Sequence, residues 1–328
     1  MTIRVLENHP RLTTVCLLVF AAIICVATAE FGLRTFTGLG NPPLYEISPL
    51  YGYRLKPGQS IEPRGGVRFL FGARVRTNNL GLRAADDWDG NADNKVLFLG
   101  DSVTYGGQYV DDRELFSSIA AAFIPTYMVG NGGVNAWGVE NVHGLTVDYG
   151  FRPARTVVTC LLEGDFYRGL TRINGLPFWS HKPSLAIYDL AMFFATTSAW
   201  SRYREDGGGR VDRGAEEKVV DRAVRRLAET TEVIAREGGR HLIYILPERA
   251  QVAGERQVDP LVKRSLERYG VEARYLLPRL RALRPSATDT RRWFQDSVHL
   301  EAEGHKVYGE VIGRDLAELL TPPVRPRT

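Results

Sequence analysis

The sequence predicts an α/β fold built on a parallel sheet covered on both faces. Three observations carry this. From residue 95 onward, short apolar runs alternate with stretches of helical spacing, which is the pattern of βαβ units. Runs such as Lys95 to Leu99 (KVLFL) and His241 to Leu246 (HLIYIL) are nearly continuous in apolar residues, as strands buried on two faces are. The runs are closed by chain breakers, Gly100 after the first and Pro247 after the fourth.

The elements follow in order. Leu12 to Ala29 carries no charge and is preceded by Arg4 and Arg11. Eighteen apolar residues lie at the short end for a membrane-spanning helix. The same stretch, ending Ala27-Thr28-Ala29, also fits a cleavable export signal. Either reading places the rest of the chain outside the cytoplasm; the anchor reading makes it a single-pass membrane protein. Residues 1–37 are therefore taken as anchor. Residues 38–94 are a linker with a small β segment, rich in Pro, Gly and Tyr at 38–63 and with a turn expected at Asn79 to Gly81. Residues 95–321 form the α/β domain. Its strands are expected at Lys95 to Leu99, Tyr127 to Val129, Thr156 to Leu162, His241 to Leu246 and Val271 to Leu276. Helices are expected at Glu114 to Phe123, Val139 to Tyr149, Ala215 to Glu237, Leu261 to Tyr269 and Glu301 to Leu320. Residues 322–328 read as a loose tail.

Composition narrows the function by exclusion. The chain has 328 residues, enough to bury a large core without metal or disulfide staples. The net charge is +4, with 42 scattered basic residues and no basic block, so nothing points to nucleic acid as a partner. Three cysteines are too few for a disulfide framework: Cys16 and Cys25 fall in the apolar N-terminus and Cys160 in an expected strand. No metal-ligand spacing, phosphate-binding loop or dinucleotide fingerprint is visible, and no cofactor is expected.

In a parallel sheet, chemistry sits just beyond the carboxyl ends of strands. Three motifs occupy such places or can reach them. Gly100-Asp101-Ser102-Val103-Thr104-Tyr105-Gly106 follows the first strand and puts a serine at a strand-to-helix turn, a suitable position for a nucleophile. The plain alternative is a capping Asp or Ser in a tight turn. Asp296-Ser297-Val298-His299 lies near the C-terminus. An Asp three residues before a His can hold one imidazole nitrogen while the other faces a serine. No other of the six histidines has an Asp at that spacing; His305 reads as structural. Gly130-Asn131-Gly132-Gly133-Val134-Asn135 follows the second strand and can aim backbone N–H groups at a developing oxyanion.

Taken together and in this order, GDSVTYG, NGGVNAWG and DSVHLEAEGH resemble the SGNH (GDSL-type) hydrolase family over roughly residues 95–320. The upstream TNNLGLR segment and the N-terminal apolar stretch also look like membrane-anchored bacterial members. The resemblance implies a flavodoxin-like three-layer α/β/α fold and a triad of Ser102 (nucleophile), His299 (base) and Asp296 (its orienter). It further implies oxyanion donors at the backbone N–H of Ser102 and Gly133. One departure stands out. The family carries Gly-x-Asn-Asp after its third strand, whose Asn is a third oxyanion donor, whereas this chain has Leu162-Glu163-Gly164-Asp165. Asn131, Asn135 or Arg168 are candidate replacements. Asp101, Glu163, Gly164 and Asp165 are candidate site-lining residues.

The activity implied is an extracytoplasmic serine esterase that removes acyl groups, O-acetyl above all, from a cell-envelope or exported glycan. Rival readings are an O-acetyltransferase of the same fold, a lipase or thioesterase, and a non-catalytic glycan-binding protein with a decayed oxyanion hole. Residues 166–203 form a long insertion with nine aromatics: Phe166, Tyr167, Phe178, Trp179, Tyr188, Phe193, Phe194, Trp200 and Tyr203. They read either as a cap over the site, or a membrane contact, or as core-facing positions of a helix over Leu185 to Trp200. Residues 206–214 read as a flexible loop.

Overall fold

The structure, a computed structural model, describes residues 10–61, 73–107, 109–172, 179–192, 194–195 and 213–320. Residues 62–72 of the β segment, Phe178, Phe193, Trp200, Tyr203, most of the 206–214 loop and the C-terminal tail lie outside these residues.

Helix α1 (Pro10–Gly32) opens the chain and runs into a π-helical turn, Leu33–Thr37. A first antiparallel hairpin, β1 (Tyr45–Ser48) and β2 (Gly52–Leu55), follows. The short strands β3 (Ser60–Ile61) and β4 (Val75–Arg76) form a second pair. The chain then alternates strand and helix: β5 (Lys95–Gly100), α2 (Ser102–Tyr105), α3 (Phe116–Ala121), β6 (Met128–Asn131), α4 (Val139–His143), β7 (Thr156–Leu161), α5 (Arg213–Arg236), β8 (Arg240–Ile245), α6 (Arg249–Val252), α7 (Pro260–Arg268), β9 (Ala273–Tyr275), α8 (Leu277–Ala282), α9 (Ala287–Trp293) and α10 (Ala302–Leu320).

Strands β5 to β9 make one sheet in the order β6-β5-β7-β8-β9, every pair parallel. Renumbered within the sheet this is 2-1-3-4-5, the flavodoxin-like order, so the direction of winding reverses at β5. Successive residues of a strand face opposite sides. Val96 and Phe98 therefore pack on one face with Phe116 of α3 and Tyr308, Ile312 and Leu316 of α10. On the other face Leu97 and Leu99 meet Tyr53, Leu55 and Trp137, while Ile243 and Ile245 meet Val220, Val224 and Leu227 of α5. The result is a three-layer α/β/α fold.

Several expected elements differ in extent: the fifth strand is Ala273–Tyr275 and the helix expected over Glu114 to Phe123 is Phe116–Ala121. The second strand begins at Met128 and continues through Gly130 and Asn131, because Leu97 and Phe98 pair with those residues. The helix expected to run to Tyr149 is α-helical only to His143 and then widens into a π-turn, Gly144–Asp148. The segment expected as a linker is packed onto the sheet: Tyr45, Tyr51, Tyr53 and Leu55 are buried in the same cluster as Leu97 and Leu99. The turn at Asn78 to Leu82 is held by Asn78, whose Oδ1 accepts from the N–H groups of Leu80 and Leu82.

Candidate active site

Ser102 starts α2 directly beyond β5, the strand where the winding reverses, which is where ligands bind in open α/β sheets. Asp101 is the N-cap, its Oδ1 accepting from the Val103 N–H at 2.9 Å. Gly106 ends the turn in the left-handed region at φ 78°, a conformation a residue with a side chain adopts only at a cost. Ser102 is thereby left partly exposed between buried neighbours. Its backbone N–H has no partner among the described residues.

The other two residues come from the loop between α9 and α10. Asp296 Oδ1 accepts from the N–H groups of Val298 and His299, both at 2.8 Å, which fixes the carboxylate. Its Oδ2 lies 2.7 Å from His299 Nδ1. His299 Nε2 lies 2.8 Å from Ser102 Oγ, across 197 positions of sequence. Burial alone would raise the Asp296 carboxyl, but the hydrogen bonds from His299 and Val298 outweigh it and hold the group well below the usual carboxylate range. Asp296 is thus a fixed anion beside a half-exposed imidazole.

The side of Ser102 facing β6 and β7 is arranged differently from the sequence reading. Gly133 does not offer its N–H: that group donates to Asn131 Oδ1 at 2.8 Å. Glycine is required there for another reason, since a Cβ on Gly133 would lie 2.4 Å from the Tyr105 backbone nitrogen. Asn131 is also committed, its Nδ2 donating to Thr104 O at 2.6 Å and Ser117 Oγ at 3.0 Å, so it is a strut behind α2 and not an oxyanion donor. Around this loop the N–H groups of Gly132, Val134, Trp137 and Gly138 are likewise bonded. Among the described residues of this loop, the N–H groups of Asn135 and Ala136 are left without a partner. Ala136 holds φ 60°, a left-handed conformation that costs a residue with a Cβ about 1–2 kcal/mol.

Beyond β7, the remaining expected lining residues divide. Glu163 is buried and turned away to α6 and α7: its carboxylate accepts from Gln251 Nε2 and from the Asp259 N–H, both at 2.7 Å. Gly164 is exposed, and a Cβ on it would meet nothing within 4 Å. Asp165 is fully buried; its Oδ2 accepts from the Leu162 N–H at 2.8 Å. Its Oδ1 accepts from Arg168 at 2.6 Å. The same guanidinium donates to Trp137 O at 2.8 Å and stands 3.6 Å from Asp101 Oδ2. Arg168 therefore ties together the ends of β5, β6 and β7. Burial raises the carboxyls of both Asp101 and Asp165, and Arg168 offsets part of that cost for each.

Two further residues stand out that the sequence reading did not single out. Arg83 is buried and uses its whole guanidinium: Asp112 at 2.7 Å, and the carbonyls of Tyr105, Gly107, Val110 and Arg74 at 2.6 to 3.1 Å. It holds the chain that leaves the Ser102 turn. Its only sequence signal was its place at the end of TNNLGLR. Tyr109 is the other: burial, with the nearby charges of Asp296, Glu301 and Asp101, pushes its phenol upward and keeps it protonated.

No family model matches the chain, and no curated protein does. Solved structures are similar at low identity. One is an alpha/beta hydrolase enzyme from the metagenome of Lake Arreo, Spain, with 16% identity, 70% of this chain and 98% of that chain covered, and a TM-score of 0.40. Another is a member of the lipolytic protein G-D-S-L family from Veillonella parvula, with 14% identity, 67% and 95% covered, and a TM-score of 0.38. A third is a two-domain esterase active on acetylated mannans, with 13% identity and a TM-score of 0.42; the match covers 72% of this chain and 53% of that one. Among the described residues no cluster of side chains is suited to hold a metal ion.

Proposed function

We propose that this chain is a serine esterase working through an acyl-serine intermediate. The observation that carries the reading is the continuous line Asp296 Oδ2, His299 Nδ1, His299 Nε2, Ser102 Oγ, with separations of 2.7 and 2.8 Å. Asp296 selects the tautomer with the proton on Nδ1, which leaves Nε2 free to accept the Ser102 proton as Oγ attacks an ester carbonyl. The carbonyl oxygen then becomes an anion. The N–H of Ser102 is one donor for it, and the N–H groups of Asn135 and Ala136 supply the role that the family resemblance implied for Gly133. The imidazolium returns its proton to the leaving alkoxide. Water, activated by the same imidazole, then cleaves the acyl-enzyme.

In this reading α1 is a membrane anchor. It has 23 residues, and at about 1.5 Å per residue it is long enough to cross a hydrocarbon core of about 30 Å. Within Pro10–Thr37 an 18-residue window has a mean hydropathy of 2.5, with none of it buried in the protein. The anchored domain works outside the cytoplasm on O-acyl groups, O-acetyl above all, of an envelope or exported glycan. The test is hydrolysis of p-nitrophenyl acetate by the full chain and by Ser102→Ala. The reading requires turnover by the first and none above background by the second. Equal rates remove Ser102 from the chemistry.

A further inference from the structure

The end of α1 is built into the aromatic insertion. Residues 186–192 form a helix, and the Glu30 carboxylate of α1 caps it: Oε1 accepts from the Ala186 N–H at 2.7 Å and Oε2 from the Ile187 N–H at 3.1 Å. Arg34 joins the contact, its Nε on Glu30 at 2.6 Å and its Nη2 on Ser184 O at 2.8 Å. One turn further on, Asp189 accepts from the Gly40 N–H and from Trp179 Nε1, both at 2.8 Å. The helix is therefore locked to the end of the apolar segment through its buried side, Ala186 and Asp189.

Its other side is exposed and uncharged. Leu185 is 47% and Tyr188 51% exposed, and Ala191 is exposed as well. On the α1 side of the junction, Phe31 and Phe36 are 67% and 64% exposed. An outward helix face meeting water carries charge, as α5 does with Arg222, Arg225, Glu229 and Arg236. Tyr188, an aromatic with a polar edge, beside exposed phenylalanines and a spanning helix suits the headgroup level of a bilayer.

We infer that the helix over 186–192 lies in the membrane interface, with Leu185, Tyr188 and Ala191 toward lipid, as a second contact that fixes how the domain stands on the bilayer. The occupant of the apolar face is the bilayer because the face is continuous, through Glu30 and Phe31, with a helix that itself fits the hydrocarbon core. The inference rests on the reading of α1 as an anchor. It has a consequence for the catalytic domain: the insertion leaves the sheet beyond β7, on the same edge that carries Ser102. A fixed insertion helix ties that edge to the membrane at two points instead of one.

The test uses the full chain in lipid nanodiscs of phosphatidylethanolamine and phosphatidylglycerol, with single spin labels. Leu185→Cys and Ala191→Cys are made in a Cys16→Ser/Cys25→Ser background, with Arg236→Cys on α5 as the water-exposed reference. Native Cys16 and Cys25 report on α1. Collision with molecular oxygen and with an aqueous nickel complex gives each depth. The expected result is loss of nickel collision at 185 and 191, as at 16 and 25, and free collision at 236. Labels at 185 and 191 as open to nickel as that at 236, with 16 and 25 protected, overturn the interfacial helix and leave the anchor. All labels open to nickel overturn both.

Discussion

The two sides of Ser102 are built on different plans. On the α10 side, one loop supplies both partners, and both carboxylate oxygens of Asp296 are spent on His299 or the Val298 N–H. On the β6–β7 side, three strand ends are stitched by Arg168, the Asn131 side chain is a strut, and the N–H groups without a partner, those of Asn135 and Ala136, lie in a strained turn. In the proposed mechanism the first side moves a proton and needs particular side chains in a line. The second holds charge and needs only N–H groups aimed at one point, which many sequences can supply. A departure from the pattern this chain resembles is thus better tolerated at Gly164 than it would be at His299.

That contrast is broken most severely on the proton side. Asp296→Asn leaves the geometry but allows the wrong tautomer, and kcat should fall about 10⁴-fold. A loss under tenfold would mean that the aspartate only shapes the loop. On the other side the expected change is a gain. Gly164→Asn has open space for its side chain and adds a side-chain donor to the proposed backbone ones, so kcat should rise about 10²-fold with KM little changed. No change would mean that the site does not lack a donor. Smaller again is Arg168→Gln, which unties Trp137 from Asp101 and Asp165. Misplacing the turn should cost at most about 10²-fold in kcat, and restoration by Arg168→Lys would show that only the charge matters.

The least effect falls on stability. His241 is partly buried between the hydroxyls of Thr159 and Thr231, and desolvation lowers it to about 3. Burial likewise lowers His305 to about 3, with the charges of Arg83 and His299 adding to it. Both are neutral when folded, while the unfolded chain binds their protons below about 6.5. Their contribution is complete above that pH and drains away as pH falls toward 3. The melting temperature should therefore drop between pH 6.5 and 4, and less steeply in His241→Gln. Parallel curves for the two proteins would contradict the assignment.

What could be read from sequence follows the same division. Strands β5, β7 and β8 were legible because residues buried on two faces are apolar whatever their detailed contacts. Ser102, Asp296 and His299 could be proposed as a set because their chemistry is carried by residue type and spacing. The oxyanion donors could not be read. A glycine-rich turn announces spare N–H groups but does not tell which are spent, and Gly133 bonds Asn131 while Asn135 and Ala136 remain open. Arg83 was missed because its five bonds go to carbonyls and a carboxylate scattered from Arg74 to Asp112, which no local pattern reveals. The insertion aromatics divided: Phe166 is buried against α5, Tyr167 bonds Asp259 at 2.7 Å, and Tyr188 stays exposed against Trp179. The contacts of Trp179 run to the N-terminal segment, through Leu44 and Tyr45.

The central claim is that Ser102 is a nucleophile activated by His299, and a fluorophosphonate probe tests it most directly. The full chain should be labelled once, at Ser102, with labelling abolished in Ser102→Ala and strongly slowed in His299→Ala. Labelling that persists in Ser102→Ala, or an unlabelled wild-type protein, would contradict it.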